Sequence, residues 1–276
     1  MNKSNNLKKI MIAGAAGMVG NAIKRAYLKY AKHNSQTYEI LTPTRSELNL
    51  LDFQEVKNWF KENCPDIVIL AAAKVGGIFA NKNNPSDFIL DNLKIQTNLI
   101  EISNNFKVEK FLFLGSSCIY PKLSSQPIAE HELLSGYLEI TNQYYAIAKI
   151  SGIKLCEALA IQEGFNSICL MPTNLYGPGD NYHELNSHVL PSLIRKFSEA
   201  KNKNINKVTC WGDGSPQREF LYVDDLADAC IFAIENLNLI SNSFPKDENG
   251  NPLYWVNVGS NEEISIKDLA IMIAKI

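Results

Sequence analysis

The sequence predicts an α/β fold built on a doubly wound parallel sheet, with a smaller C-terminal region set against it. Two observations carry that expectation. Short apolar, β-branched runs alternate with longer helical patterns through the first two thirds of the chain, the order produced by parallel strands with crossover helices. The first such run leads into Gly14-Ala15-Ala16-Gly17-Met18-Val19-Gly20, at the first strand-to-helix crossing. A chain of 276 residues is long enough for one such domain and a small appendage.

Each element has its own signal. Residues 9–13 (KIMIA) read as the first strand and 19–31 as the first helix. Residues 39–43 form the second strand, and 66–73 (DIVILAAA) the third. That third run is almost wholly apolar, as expected of a strand buried on both faces. A helix follows over 88–106, a strand over 110–115, a long helix over 142–163 and a strand over 167–172. The rhythm then changes. Residues 173–182 (TNLYGPGDNY) are rich in turn formers. A helix over 187–200, strands over 208–211 and 219–223, a helix from 224, a strand over 255–258 and a helix from 266 complete the pattern. The last helical pattern runs to Ile276 without a cap or turn signal and reads as a truncated end.

Composition excludes several classes. The net charge is −2 and no basic block occurs, so neither nucleic acid nor an anionic membrane surface is an expected partner. The apolar run near the N-terminus is broken by glycines and reads as a strand, not a targeting segment. No stretch is apolar for long enough to span a bilayer. Cysteines stand at 64, 118, 156, 169, 210 and 230, with no Cys-x-x-Cys and no metal-ligand spacing to His33, His131, His183 or His188. This usage suits a reducing, cytoplasmic setting and no bound metal.

The glycine run has a physical reading. Glycines permit a tight turn and a close backbone approach, and the helix N-terminus behind them attracts a pyrophosphate. At the first crossover this points to a Rossmann-type dinucleotide site formed by Gly14, Ala15, Ala16, Gly17, Met18, Val19 and Gly20. After the second strand no acid is placed to take a ribose 2′-hydroxyl. Arg45 stands there instead, which favours a 2′-phosphate and hence NADP over NAD. The small residues Ala71, Ala72 and Ala73 fit both a passing cofactor and tight packing.

Tyr145-Ala-Ile-Ala-Lys149 puts a phenol and an ammonium on one helix face. The cation is expected to lower the phenol pKa and make it an acid or base near neutral pH. Ser116, just past the fourth strand, would complete a set able to hold and protonate a carbonyl oxygen. Tyr144 is five residues from Lys149 and faces elsewhere. For Cys118 and His188, spacing alone favours a packed thiol and a capping or surface histidine.

The glycine run, Ser116 and Tyr145-x-x-x-Lys149 resemble the extended short-chain dehydrogenase/reductases. Gly115-Ser-Ser-Cys-Ile-Tyr-Pro121, Met171-Pro-Thr-Asn-Leu-Tyr-Gly-Pro178, Asn186-Ser-His188 and Arg218-Glu-Phe-Leu221 are similar, more narrowly, to the GDP-L-fucose synthase family. That resemblance covers residues from about 9 to the end. It implies an NADPH-dependent, homodimeric enzyme that converts GDP-4-keto-6-deoxy-D-mannose to GDP-L-fucose by 3,5-epimerisation and 4-reduction. Ser116, Tyr145 and Lys149 would be the reductase set, and Cys118 and His188 the base and acid of the epimerisation. Besides the glycine loop and Arg45, NADP(H) would meet Asp52, Ala72, Leu114, Gly115, Lys149, Pro172, Asn174, Leu175 and His188. Ser117, Asn174, Lys196, Trp211 and Arg218 would contact the GDP sugar.

The implied domains are 8–175, with 219–238 returning to it, for the dinucleotide, and 176–218 with 239–276 for the substrate. Ala16 stands where relatives often carry an arginine, which leaves Arg45 alone toward a 2′-phosphate. Two other readings share these motifs: an enzyme acting on another GDP sugar, of colitose or deoxyheptose type, and a shortened chain that keeps only cofactor binding.

Overall fold

The computed structural model describes residues 7–33, 36–184 and 186–276. A six-stranded, all-parallel sheet has the order β2-β1-β3-β4-β5-β8, with β1 at Lys8–Ala13, β2 at Tyr38–Leu41, β3 at Ile67–Leu70, β4 at Lys110–Leu114, β5 at Ser167–Pro172 and β8 at Trp255–Val258. Alternation along β1 sends Ile10 and Ile12 to one face and Met11 and Ala13 to the other. The first face is covered by α1 (Met18–His33) and α7 (Val223–Asn236), and Arg25 of α1 pairs with Asp224 of α7 at 2.5 Å. The second is covered by α2 (Phe53–Asn63), α4 (Pro85–Asn105) and α5 (Gln143–Glu163).

Most expected elements form close to their expected limits, and four differences have physical causes. Helix α2 was not anticipated. Its signal is Asp52-x-x-Glu55, where Asp52 caps the helix by accepting from the Glu55 N–H at 2.9 Å, followed by Val56 and Phe60 buried on the sheet. Helix α4 starts at Pro85 rather than 88, because proline is well placed in a first turn. Residues 208–211, expected as a strand, are not one: among the described residues no strand lies alongside to take their backbone bonds. The strand over 255–258, expected with the smaller region, instead extends the large sheet as β8.

A second sheet is formed by β6 (Asn174–Tyr176), β7 (Gln217–Tyr222) and β9 (Glu263–Ser265), ordered β6-β7-β9. Helix α3 (Ile78–Asn83) precedes α4, while α6 (Val189–Asn202) and α8 (Ile266–Lys275) complete the chain. The large sheet extends outward in both directions from β1, through β2 on one side and β3 on the other. The carboxyl ends of β1 and β3 therefore frame the crevice where such sheets receive ligands.

Candidate active site

The glycine loop is shaped by contact with the next strand end. Gly14 adopts φ +89°, and a Cβ there would lie 2.6 Å from the Ala72 backbone nitrogen. A Cβ on Gly20 would overlap the Gly14 carbonyl, whereas Gly17 is open and exposed at the helix entrance. Ala15 is buried, Ala16 is exposed, and Met18 and Val19 pack partly against the core. Helix α1 carries no acid in its first turn. A positive helix terminus behind a loop without side chains fits a pyrophosphate. Arg45 is exposed in the turn after β2 and makes no ion pair among the described residues, so it is free for a further phosphate.

Asp52, expected against the cofactor, is engaged as the α2 cap. Asp52→Ala is expected to cost about 1 kcal/mol of stability, read in a denaturant titration. Dinucleotide affinity should be unchanged; a matching loss of affinity would restore Asp52 to the cofactor site.

At the end of β4, Gly115 lies so close to Met171 of β5 that a Cβ would overlap its thioether. Ser116 caps the short 3₁₀ turn Ser117–Ile119, and its Oγ accepts from the Cys118 N–H at 3.4 Å. Helix α5 packs on this turn and delivers Tyr145 and Lys149. Lys149 is 3% exposed. Its ammonium donates to the Leu114 carbonyl at 2.8 Å and lies 4.7 Å from the centre of the Phe113 ring and 5.7 Å from that of Tyr145. Ser116, Cys118, Tyr145 and Lys149 thus form one cluster; Tyr144 points to solvent.

The electrostatics correct one expectation. Lys149 does not hold Tyr145 as a phenolate here: burial, with Cys118 nearby, pushes the phenol above its ordinary pKa. Burial also lowers Lys149 to about 8, against a smaller opposing effect of Cys118. Tyr145 is therefore a phenol throughout the neutral range, the form that donates a proton. Burial raises the Cys118 thiol to about 11, and the Ser116 hydrogen bond and the Lys149 charge oppose that rise. In the ligand-free protein, alkylation of Cys118 by iodoacetamide should therefore accelerate by about tenfold per pH unit from neutral toward the thiol pKa, because only the thiolate reacts. Peptide mass mapping resolves Cys118 from the other cysteines. A plateau near neutral pH would show a thiol activated in the resting protein.

His188 is not among the groups that shift Cys118. It caps α6 through its backbone, with no side-chain cap bond, is exposed, and lowers the pKa of Asp180 against a dominant rise from burial. The preceding backbone, at Asn186, accepts a hydrogen bond from Gly77 at 3.2 Å.

The other expected contacts are spread along the carboxyl edge. Pro172 ends β5 opposite Val258, and Leu175 pairs with Leu221. The Asn174 side chain donates to the Glu219 carbonyl at 2.9 Å, and Ser117 opens the 3₁₀ turn. Lys196 and Trp211 come together, the ammonium 5.2 Å from the indole centre and 3.3 Å from the Thr209 carbonyl it donates to. Trp211 is 79% exposed. Arg218, on β7, donates to the Gln217 carbonyl at 2.7 Å and does not join that pair. Two buried amides, Asn81 and Asn92, were missed by sequence reasoning. Both bind the loop after β3; Asn92 lies on the buried face of α4, whereas Asn81 has no described buried neighbour on α3.

Comparison with known proteins agrees with this geometry. Residues 10–243 match the NAD dependent epimerase/dehydratase family. A probable GDP-L-fucose synthase 1 of Oryza sativa subsp. japonica is 50% identical over 97% of this chain and 76% of its own length. The GDP-L-fucose synthase of Escherichia coli (strain K12) is 49% identical over 98% of this chain and 81% of its own. A solved GDP-D-glycero-L-gluco-heptose synthase from Campylobacter jejuni, in the presence of NADPH, superposes with a TM-score of 0.84 at 33% identity, over 99% of this chain and 86% of that one. The chain belongs to the NAD dependent epimerase/dehydratase family and, within it, to the GDP-L-fucose synthases.

Proposed function

We propose that this protein is an NADP-dependent oxidoreductase with epimerase activity that converts GDP-4-keto-6-deoxy-D-mannose to GDP-L-fucose. The observation that carries this reading is the Cys118 thiol placed within the Ser116, Tyr145 and Lys149 cluster. Serine, tyrosine and lysine alone suit carbonyl reduction; a thiol beside them adds a base for the carbons next to that carbonyl. NADPH, when bound along the glycine loop and beside Arg45, supplies the hydride for C4.

The chain's own residues perform the remaining steps. Ser116 and Tyr145 donate hydrogen bonds to the C4 oxygen of the sugar, which stabilises negative charge developing there. The C4 ketone acidifies the hydrogens at C3 and C5. Cys118, as thiolate, removes one of them, and the electron pair passes to the C4 oxygen as an enolate. His188, as imidazolium, returns a proton to the opposite face of the same carbon. The sequence repeats at the second carbon after both groups exchange protons with solvent. In the reduction, Tyr145 gives its phenolic proton to the C4 oxygen, and the Lys149 charge stabilises the phenolate left behind. Lys196 and Trp211 are assigned to the GDP moiety, the ammonium to a phosphate and the exposed indole to a flat base.

A homodimer is supported by exposed Leu90 on α4 and exposed Ile147 and Ile161 on α5. A cytoplasmic location is supported by six free thiols. Among the described residues no helix is long and apolar enough to cross a membrane.

The test is turnover in D2O with NADPH and GDP-4-keto-6-deoxy-D-mannose. The expected product is GDP-L-fucose labelled at C3 and C5. A second reading, C4 reduction of a GDP-heptose ketone, is favoured by the likeness to a solved GDP-mannoheptose C4 reductase from Campylobacter jejuni, 32% identical with a TM-score of 0.82. It predicts faster NADPH oxidation with a GDP-keto-heptose and no label at C3 or C5. A protein that binds NADPH but oxidises it with neither sugar would be a binding homologue.

A further inference from the structure

The loop that leaves β3 is held from two sides before it reaches His188. On the α4 side, buried Asn92 accepts from the Lys74 N–H at 2.9 Å and donates to the Lys74 carbonyl at 3.0 Å. The Lys74 ammonium pairs with Asp87 and Asp91, each at 2.9 Å. On the α3 side, Asn81 is 7% exposed and donates from Nδ2 to the carbonyls of Gly76, at 2.8 Å, and Gly77, at 3.2 Å. Its Oδ1 has no hydrogen-bond partner, so only the donor half of the amide is used. The Gly77 N–H, oriented by these bonds, donates to the Asn186 carbonyl at 3.2 Å. The junction has no spare space: a Cβ on Gly77 would lie 2.8 Å from the Ser187 carbonyl oxygen.

We infer that Asn81 is a positioning residue for His188, acting through the Gly77 hydrogen bond to Asn186. The inference rests on His188 being the acid of the isomerisation. His188 is anchored on its C-terminal side by α6, where its carbonyl accepts from the Ser192 N–H at 3.0 Å. Its imidazole makes no capping bond, so the backbone on either side sets where the ring stands. The Gly77 bond, with the Ser187 N–H bond to the His183 carbonyl at 3.2 Å and a longer Asn181 side-chain bond to the Asn186 carbonyl at 3.5 Å, holds the N-terminal side of that backbone. A displacement of about an ångström at a proton-transferring group costs on the order of a hundredfold in rate.

The test uses the whole chain and two variants that attack the bond from opposite ends. Asn81→Leu keeps the γ-branched side-chain shape and removes the donor. Gly77→Ala keeps an allowed backbone, with φ −65° and ψ 179°, and pushes a methyl group at the Ser187 carbonyl. Two rates are read for each: deuterium entry at C3 and C5 of GDP-4-keto-6-deoxy-D-mannose, and NADPH oxidation with the ketone already epimerised at both carbons. Exchange should fall by about tenfold to a hundredfold while reduction is unchanged. A merely structural role would lower both rates together. Unchanged exchange in a folded variant, or parallel loss of both rates, overturns the inference. His188→Gln separates the two levels. If that variant exchanges normally, the reading of His188 as the acid fails; if it stops exchange while Asn81→Leu and Gly77→Ala do not, only the positioning fails.

Discussion

Tyr145→Phe is expected to lower NADPH oxidation by a factor of about 10² to 10⁴, the usual contribution of a placed general acid. Burial holds Tyr145 in its phenol form, so in the resting protein the proton required at C4 is already on the tyrosine. Phenylalanine keeps the ring and its packing and removes only that proton and its hydrogen bond. Ser116 remains to stabilise the enolate, so deuterium exchange at C3 and C5 should fall less than reduction does. The two rates are measured by nucleotide absorbance and by mass spectrometry of the sugar. Reduction at the unmodified rate would remove Tyr145 from the proton-donor role, and Lys149, lowered to about 8, would be the next candidate.

Cys118→Ser is the second large effect. Exchange at C3 and C5 should fall by about 10² to 10⁴, while reduction of the already epimerised ketone stays measurable. A serine hydroxyl is a far weaker acid than a thiol and supplies almost no anionic base. The substitution is nearly isosteric, and the Ser116 bond to the backbone N–H of residue 118 does not depend on the side chain. The loss is therefore chemical rather than a loss of shape. In the ligand-free protein the thiol sits at about 11, so the anionic base becomes more populated as pH rises. Exchange that persists at the normal rate in Cys118→Ser would show that another group removes the proton.

The most legible parts of the fold were those governed by local pattern. The predominantly apolar runs became β3, β4 and β5, each buried along its whole length with Lys110 and Ser167 as the polar first residues of β4 and β5. The Gly14 to Gly20 loop became the tight turn its composition required, because residues without side chains were needed at Gly14 and Gly20 and local sequence states that directly. The Tyr145 and Lys149 spacing placed both residues correctly on α5, since helical geometry fixes neighbours four residues apart. Residues 208–211 had the composition of a strand and did not become one, because a strand is defined by its neighbours as well as its residues. Residues 255–258 did find a partner, β5, across more than eighty intervening residues, a pairing that local pattern does not encode.

The candidate site divides along the same line. The sequence by itself determined which chemical groups are present and which of them share a helix, a strand end or a turn. Folding decided their protonation and their company. Lys149 turned out to donate to the Leu114 carbonyl rather than holding Tyr145 as an anion, and Cys118 is governed by burial, Ser116 and Lys149 rather than by His188. The loop from Lys74 to Gly77 meets the segment before His188 only in the folded chain. The physical reason is range. Periodicity and turn chemistry act over a few residues, whereas desolvation and hydrogen bonds between distant segments depend on what the tertiary structure packs around each group.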